Sequence, residues 1–169
     1  QMWAAQHFWY EKPRMFFSAG GLGPMGYALP AAMGVKLADD RRDVWCVTGD
    51  GGLLINIQEF NTLAAEGINL KVAILNNAHL GMIRQWQEFF YEGRYMGAYL
   101  DNPDFAAVAN AFGLHGVGAT TREEMHSAIE MAHAHDGPVV LDLHVDQVEN
   151  VYPMIVPGTG VASVIEDPR

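Results

Sequence analysis

The sequence is poor in cysteine, in basic side chains and in long apolar runs. Its single cysteine, Cys46, excludes an internal disulfide and a cysteine-based zinc site. Ten Lys and Arg residues against 20 Asp and Glu residues give a net charge of −10, which argues against nucleic acid as a partner. No apolar run approaches the roughly 18 residues that a membrane span requires, so we expect no membrane partner.

What remains is the composition of an ordinary globular protein. Half of the 169 residues are hydrophobic and 18% are charged, which is too apolar for a disordered chain. The length suits about one compact domain. Because the chain opens on Gln1 followed by Met2-Trp3, we expect it to be a piece of a longer polypeptide.

Four short apolar runs rich in β-branched residues predict buried parallel strands. They are 44–48, 70–75, 114–117 and 139–145. Between them, helices are predicted at 26–38, at 56–66, after Asn102-Pro103 as N-cap and first turn, and after a capping box of Thr121 and Glu124. The alternation predicts an α/β fold: a doubly wound, mostly parallel sheet with helices on both faces.

Polar residues directly follow the first two predicted strands. Gly49-Asp50-Gly51-Gly52 comes after the first, and Asn76-Asn77-Ala78-His79 comes after the second. Ligands of open α/β sheets bind beyond the carboxyl ends of the strands, so we expect Asp50 and Asn77 at one edge. Carboxylate and amide oxygens suit Mg²⁺ or Ca²⁺, and glycines next to a helix start allow close approach of an anion.

The shortage of basic residues bears on the kind of anion site. No Lys or Arg lies between Arg42 and Lys71, and no lysine stands in a Gly-x-x-x-x-Gly-Lys loop. A diphosphate at this edge would therefore depend on a metal ion for charge neutralisation. Asp50 and Asn77 would supply the protein's ligands to an octahedral Mg²⁺.

Two other patterns indicate different chemistry. Residues 21–26, Gly-Leu-Gly-Pro-Met-Gly, match the dinucleotide fingerprint, with a short strand possible at 15–17, although Asp39-Asp40 resembles a solvated turn instead of a strand end. His133, His135 and His144 form the only concentration of imidazoles, but His133 and His135 are two apart on a helix end and point to different faces. We therefore consider a dinucleotide site and a histidine metal site to be weaker hypotheses than the magnesium site.

Several segments together resemble the catalytic subunit of acetohydroxyacid synthase (acetolactate synthase). Gly49-Asp50-Gly51, then 24 residues, then Asn76-Asn77 is similar to the thiamine diphosphate motif. The narrower resemblance rests on residues 1–6, on 20–26, on 79–82 with Gln85-Trp86, and on Tyr152-Pro153-Met154. It covers almost the whole chain and falls on the C-terminal, pyrophosphate-binding domain, which we place at 1–148, followed by a tail at 149–169 that we expect to be irregular.

The resemblance implies a role for each matching residue. Side chains of Asp50 and Asn77 and the carbonyl of His79 would bind Mg²⁺. The resemblance also implies a set of residues that hold the cofactor and a pair that lines the substrate pocket. Among the cofactor residues, Met25 would be the apolar side chain that keeps the cofactor bent. The cofactor residues are Met2, Gly23, Met25, Gly51, Gly52 and Gly81, and the pocket residues are Met82 and Trp86.

The same resemblance implies the activity, which is decarboxylation of pyruvate and condensation of the hydroxyethyl carbanion with pyruvate or 2-oxobutyrate, in branched-chain amino-acid biosynthesis. It implies thiamine diphosphate, Mg²⁺ and FAD, a homodimer or homotetramer, and a regulatory small subunit. The catalytic glutamate and the FAD-binding domain of the family lie outside this chain, so we expect the isolated segment to be inactive. A bacterial cytoplasm or an organelle is the expected location.

Three residues depart from the resemblance, and two alternative functions stay open. Gly52 stands where many relatives have Ser, Pro24 where others have small residues, and Arg84 where an apolar residue is common, which would alter the pocket rim. The alternatives are another thiamine diphosphate-dependent carboligase, decarboxylase or oxidase, and a module that binds the cofactor without turnover.

Overall fold

A computed structural model describes residues 1–169 as a four-stranded parallel sheet with helices on both faces. The strands are β1 (Trp45–Gly49), β2 (Lys71–Asn76), β3 (His115–Ala119) and β4 (Val139–His144), in the order β1-β2-β4-β3. The helices are α1 (Met2–His7), α2 (Ala28–Ala38), α3 (Asp50–Leu54), α4 (Glu59–Ala65), α5 (Gly81–Phe90), α6 (Phe105–Ala111) and α7 (Arg122–Ala134). The predicted fold class is confirmed, with each strand within two residues of its predicted bounds.

Two apolar clusters on opposite faces of the sheet explain the continuous apolar strands. On one face, Phe60 of α4 and Phe105 of α6 pack with Leu29 of α2 on Val72 and Val140, and all five are almost fully buried. On the other face, Ala128 and Ala132 of α7 pack against Val139, Leu141 and Ala73. Small residues on α7 let that helix lie close to the sheet.

The helix boundaries follow the local capping signals. Thr121 and Glu124 form the predicted capping box at the start of α7: the Thr121 side chain accepts from the Glu124 N–H, and the Glu124 carboxylate accepts from the Thr121 N–H. The Thr120 N–H, followed by the Thr121 N–H and the Thr120 hydroxyl, donates to the Glu124 carboxylate and holds its pKa below the usual value. Three helices have no counterpart among the predicted ones, namely α1, the short α3 and α5.

The segment after residue 148 folds back onto α5. It carries a small antiparallel pair, β5 (Met154–Ile155) and β6 (Val164–Ile165), with a 3₁₀ turn at Val161–Ser163. Gln85 of α5 is fully buried and bonds both the N–H and the carbonyl of Val151, at 2.8 and 3.0 Å. The Gln85 side chain makes the same pair of hydrogen bonds to Val151 that a neighbouring strand would make, so both backbone polar groups of Val151 have partners.

None of the helices has the length and apolar character that a membrane span needs.

Residues 15–17 do not form a strand, so the prediction of a short strand there is wrong. The aromatic rings in this region stack on one another instead, with Phe16 against Tyr10 at 5.6 Å and against Phe8 at 6.1 Å. Ring stacking and not sheet pairing orders this stretch.

Cys46 on β1 provides a test of core integrity. Burial raises the pKa of its thiol from 9.0 to about 12, so we expect no reaction of the native protein with iodoacetamide at pH 8.5 and rapid reaction in guanidinium chloride. Because the unfolded thiol loses its proton at lower pH, this group's contribution to folding stability declines as the pH rises above 9.0. Mass spectrometry measures the labelling, with Cys46→Ser as the unlabelled control; native labelling at the unfolded rate would contradict the expectation.

Candidate metal and cofactor site

The register of β1 and β2 brings the two polar segments to the same sheet edge. The strands are parallel, and Gly49 pairs with Leu75 at their carboxyl ends. The next residues are Asp50 on one strand end and Asn76-Asn77 on the other. The structure thus places Asp50 and Asn77 at one edge, as the sequence predicts.

Asp50 is a buried carboxylate without a cationic partner. Its exposed fraction is 2%, and none of the chain's ion pairs includes it. One carboxylate oxygen accepts from the Gly51 N–H at 2.9 Å, and the other from the Asn102 side-chain amide at 2.7 Å. A buried negative charge held only by hydrogen bonds is costly, and a bound cation would relieve that cost.

The loop after β2 is held in an unusual backbone conformation. Ala78 has a φ of 55°, in the left-handed region that residues with a Cβ rarely adopt. The Leu100 N–H donates to the Ala78 carbonyl at 2.8 Å, and the Leu80 N–H donates to the Ala98 carbonyl at 2.7 Å. Residues 98–100 therefore pair with the loop and stabilise this conformation.

This pairing leaves the carbonyl of His79 available. His79 stands opposite Tyr99 in an antiparallel bridge whose hydrogen bonds are made by the flanking residues, and no N–H of the chain donates to the His79 carbonyl. Its N–H donates to the Asn77 side-chain oxygen at 3.2 Å. The third predicted metal ligand is thus a free acceptor two residues from the second.

Asn102 belongs to this site and is not the N-cap of α6 that the sequence predicts. Asp104 caps the helix instead: its carboxylate accepts from the Ala107 N–H at 2.8 Å, so the predicted N-cap is wrong. The Asn102 amide instead donates to Asp50 at 2.7 Å and to the Asn76 side-chain oxygen at 3.0 Å. The sequence has two capping residues within three positions, and only one of them caps the helix.

The predicted cofactor glycines lie where side chains have little room. A Cβ on Gly51 would lie 2.6 Å from Leu80 Cδ2 and 3.3 Å from Met25 Cε, and one on Gly81 would lie 3.2 Å from the Asn77 amide nitrogen. A Cβ on Gly52 would lie 3.1 Å from the Thr48 hydroxyl oxygen. Glycines at these positions keep the strand ends and loops in close approach.

Met25, Gly23 and the start of the chain approach the same edge. Met25 is half exposed, and its methyl group reaches towards Gly51. Gly23 has a φ of 61°, and a Cβ there would lie 3.1 Å from the Gln1 side-chain oxygen. The structure thus places Met25 beside Gly51, and Gln1, the residue before Met2, beside Gly23.

Met82 and Trp86 lie four residues apart on α5, which places them on one side of that helix. Trp86 lines an open groove with Ile83, Gln87, Tyr91 and Arg94. Arg84 does not lie on this rim: it is buried, and its guanidinium donates to Asn150 at 3.0 Å and to Glu88 at 2.7 Å. Arg84 instead lines a second pocket with His79 and Tyr99, so its effect on the rim of the substrate pocket stays a prediction. Its hydrogen bond to Asn150 connects α5 to the tail.

The donor set at the sheet edge fits a hard divalent cation. It combines a buried carboxylate, an amide oxygen and a free carbonyl, all of them oxygen ligands. The Asn102 side-chain oxygen is also buried there and has no hydrogen-bond partner in the chain. No three His, Cys, Asp or Glu side chains lie together as a metal site anywhere in the chain.

The two weaker hypotheses lack structural support. His133 lies 3.8 Å from Asp43, His144 lies 3.4 Å from Asp142, and His135 stacks on His115 at 4.9 Å, so the three imidazoles have separate partners. Asp39 pairs with Arg41 and Arg42 in an exposed turn, as the sequence indicated, and the Arg41 hydrogen bond lowers the pKa of that carboxyl. The Gly-x-Gly-x-x-Gly segment has no strand before it.

Comparison with known proteins identifies the relatives of this chain. It is 41% identical over 167 residues to the acetolactate synthase isozyme 2 large subunit of Escherichia coli (strain K12), covering 98% of this chain and 30% of that protein. It is 47% identical over 167 residues to the acetolactate synthase large subunit of Parasynechococcus marenigrum (strain WH8102), covering 98% and 27%. The chain therefore spans less than a third of the length of these relatives.

Among solved structures, the fold is similar to the Rhodococcus jostii RHA1 thiamine diphosphate-dependent 4-hydroxybenzoylformate decarboxylase. The TM-score is 0.67 at 29% identity, covering 73% of this chain and 24% of that one. Residues 1–143 match the family described as thiamine pyrophosphate enzyme, C-terminal TPP binding domain. On this match over most of its length, the chain belongs to the family of C-terminal thiamine pyrophosphate-binding domains of thiamine pyrophosphate enzymes.

Proposed function

We propose that this chain is the part of an acetolactate synthase that binds the diphosphate of thiamine diphosphate through Mg²⁺. The observation that carries the proposal is the meeting of Asp50, Asn77 and the free His79 carbonyl at the ends of adjacent strands. The identity of 41–47% to acetolactate synthases supports the choice among thiamine diphosphate enzymes.

The residues of the chain would divide the binding between metal and cofactor. The Asp50 carboxylate, the Asn77 amide oxygen and the His79 carbonyl would hold Mg²⁺, which offsets the charge of a diphosphate that no Lys or Arg of the strand ends can neutralise. Gly51, Gly52 and Gly81 would leave room for the phosphates, and Met25, Gly23 and Met2 would contact the rest of the cofactor.

When bound, thiamine diphosphate supplies the nucleophilic carbon and accepts the electrons that decarboxylation of a 2-oxo acid releases. The contribution of this chain would be orientation: Met25 would contact the cofactor, and the buried Asp50 would hold the metal ion at the diphosphate. A methionine is suited to the contact because its unbranched thioether adapts to the shape beside it.

We further propose that pyruvate and 2-oxobutyrate are the substrates and that α5 shapes their pocket through Met82 and Trp86. The aliphatic tail of a 2-oxo acid favours an apolar, aromatic wall, which the Trp86 groove offers. FAD belongs to the same proposal, held mainly by parts of the protein outside this chain.

An oligomer with a small subunit completes the proposal. The segment 8–25 exposes apolar and aromatic side chains to an extent that is unusual for a free surface, with Trp9 86% and Leu22 99% exposed. A second copy in a homodimer or homotetramer would cover them. The relatives are named large subunits, which supports a small regulatory partner.

Product analysis of the full-length protein tests the activity. With pyruvate, thiamine diphosphate, Mg²⁺ and FAD we expect acetolactate, and with added 2-oxobutyrate we expect acetohydroxybutyrate. The similarity to the Rhodococcus jostii decarboxylase favours one alternative, a decarboxylase. Release of the aldehyde with no new carbon–carbon bond would support that alternative and reject the synthase.

Replacing Trp86 by Leu should change the choice of the second 2-oxo acid. The smaller side chain removes aromatic surface from the groove, so we expect the preference for 2-oxobutyrate over pyruvate to fall by about 10-fold, the lower end of what one methylene contributes in an apolar pocket. The ratio of the two products at equal substrate concentrations measures it. Phe89→Leu is the matched control, because Phe89 lies on α5 but packs on Tyr152 of the tail at 5.7 Å; equal ratios in wild type and Trp86→Leu would contradict the prediction.

A further inference from the structure

We propose that Asn102 is a positioning residue that fixes the carboxylate of Asp50 for the divalent cation. The inference rests on the proposed metal site and extends it by a residue that is not itself assigned as a ligand. It is carried by two hydrogen bonds from one amide group, to Asp50 at 2.7 Å and to Asn76 at 3.0 Å.

The two bonds connect the ends of neighbouring strands. Asp50 follows β1 and Asn76 ends β2, while Asn102 comes from the segment before α6, 52 and 26 residues away along the chain. One donor group therefore holds one carboxylate oxygen of Asp50, and the Gly51 N–H holds the other at 2.9 Å. Together they define the rotation of the carboxylate before any metal binds.

The orientation of the Asn102 amide is determined by its surroundings. Both groups that face its nitrogen are oxygens, and the Asn76 oxygen also accepts the Ala78 N–H at 3.2 Å, so it acts as an acceptor. A reversed amide would set oxygen against two acceptors. In the observed orientation the Asn102 oxygen is buried without a donor, a cost to stability that a purely structural asparagine would be expected to avoid.

A second layer of contacts fixes Asn76. Its amide nitrogen donates to Asp142 at 2.9 Å, and Asp142 is a buried side chain of β4, one of the two central strands. The line of contacts therefore runs from the middle of the sheet through Asn76 and Asn102 to Asp50. Groups that orient a metal ligand in this way affect metal affinity without touching the metal.

The test measures Mn²⁺ binding to the full-length protein in the presence of thiamine diphosphate, by the loss of the free Mn²⁺ signal in electron paramagnetic resonance. Manganese prefers the same oxygen ligands as magnesium. We compare wild type with Asn102→Ala, and with Asn102→Ser, which retains one hydroxyl donor. The control is Asn110→Ala, because Asn110 also makes two hydrogen bonds, both to the backbone of Gly116 on the outer strand β3.

We expect the Kd for Mn²⁺ to rise by about 10- to 100-fold in Asn102→Ala, by less in Asn102→Ser, and not at all in Asn110→Ala. Thermal unfolding of the metal-free proteins separates a structural role, since a residue that only supports the fold lowers the melting temperature and leaves the Kd unchanged. A Kd within twofold of wild type in both folded Asn102 variants overturns the inference. If wild type itself binds no Mn²⁺ with the cofactor, the proposed metal site fails instead.

Discussion

Replacing Asp50 by Ala should abolish the stabilisation that Mg²⁺ and thiamine diphosphate give to the protein. At a free ligand concentration of 100 times Kd, wild type should gain about 2.7 kcal/mol of unfolding free energy from the bound cofactor. The variant loses the only carboxylate among the proposed metal ligands, so the metal no longer links the diphosphate to the protein. Thermal unfolding with and without cofactor and metal measures the difference.

Asp43→Ala is the matched control for this experiment. Asp43 stands just before β1 and Asp50 just after it, so both variants remove one negative charge from the ends of the same strand. The Asp43 side chain is 73% exposed and lies at the opposite end of the sheet. We expect Asp43→Ala to retain the full cofactor-dependent rise in melting temperature. An equal rise in Asp50→Ala would show that Asp50 is not a metal ligand.

The sheet and its polar edge could be predicted because the relevant signals are local. Continuous apolar runs identify the strands, and the rule that parallel strands end at one edge identifies Asp50 and Asn77 as neighbours. Neither step needs knowledge of side-chain contacts. The same applies to the capping box of α7, in which Thr121 and Glu124 are three residues apart.

Asn102 could not be assigned from the sequence for a physical reason. An asparagine before a proline is a good N-cap, and so is an aspartate two residues later, so the local signals for Asn102 and Asp104 are equivalent. What decides between them is the chain path of residues 98–102, which pairs with the loop after β2. That pairing is a tertiary contact with no local sequence signature.

The buried face of α5 and the fold of the tail could not be predicted for a related reason. Ile83, Trp86 and Phe90 have the spacing of one helix face, but the adjacent polar residues Arg84 and Gln85 are the ones that are buried. Their partners, Asn150 and Val151, lie 66 residues further along the chain. Polar burial of this kind depends on the tail position, which the sequence of α5 does not contain.

Replacing Gly116 by Ala should lower the unfolding free energy by about 3 kcal/mol, at the upper end of what overpacking usually costs. A Cβ on Gly116 of β3 would lie 2.2 Å from the Ala106 carbonyl oxygen and 2.9 Å from its carbon. These are backbone atoms of α6 and cannot rotate away, so the strand and the helix must separate. The separation would also weaken the two Asn110 hydrogen bonds to Gly116, at 3.0 and 3.2 Å.

Gly118→Ala provides the comparison within the same strand. A Cβ on Gly118 meets no atom within 4 Å, and alanine is easier to order than glycine, so we expect this variant to be as stable as wild type or slightly more stable. Urea unfolding of the three proteins measures the difference. Equal midpoints for Gly116→Ala and Gly118→Ala would show that α6 moves freely on β3; a large difference would show that α6 cannot separate from β3 without a cost in stability.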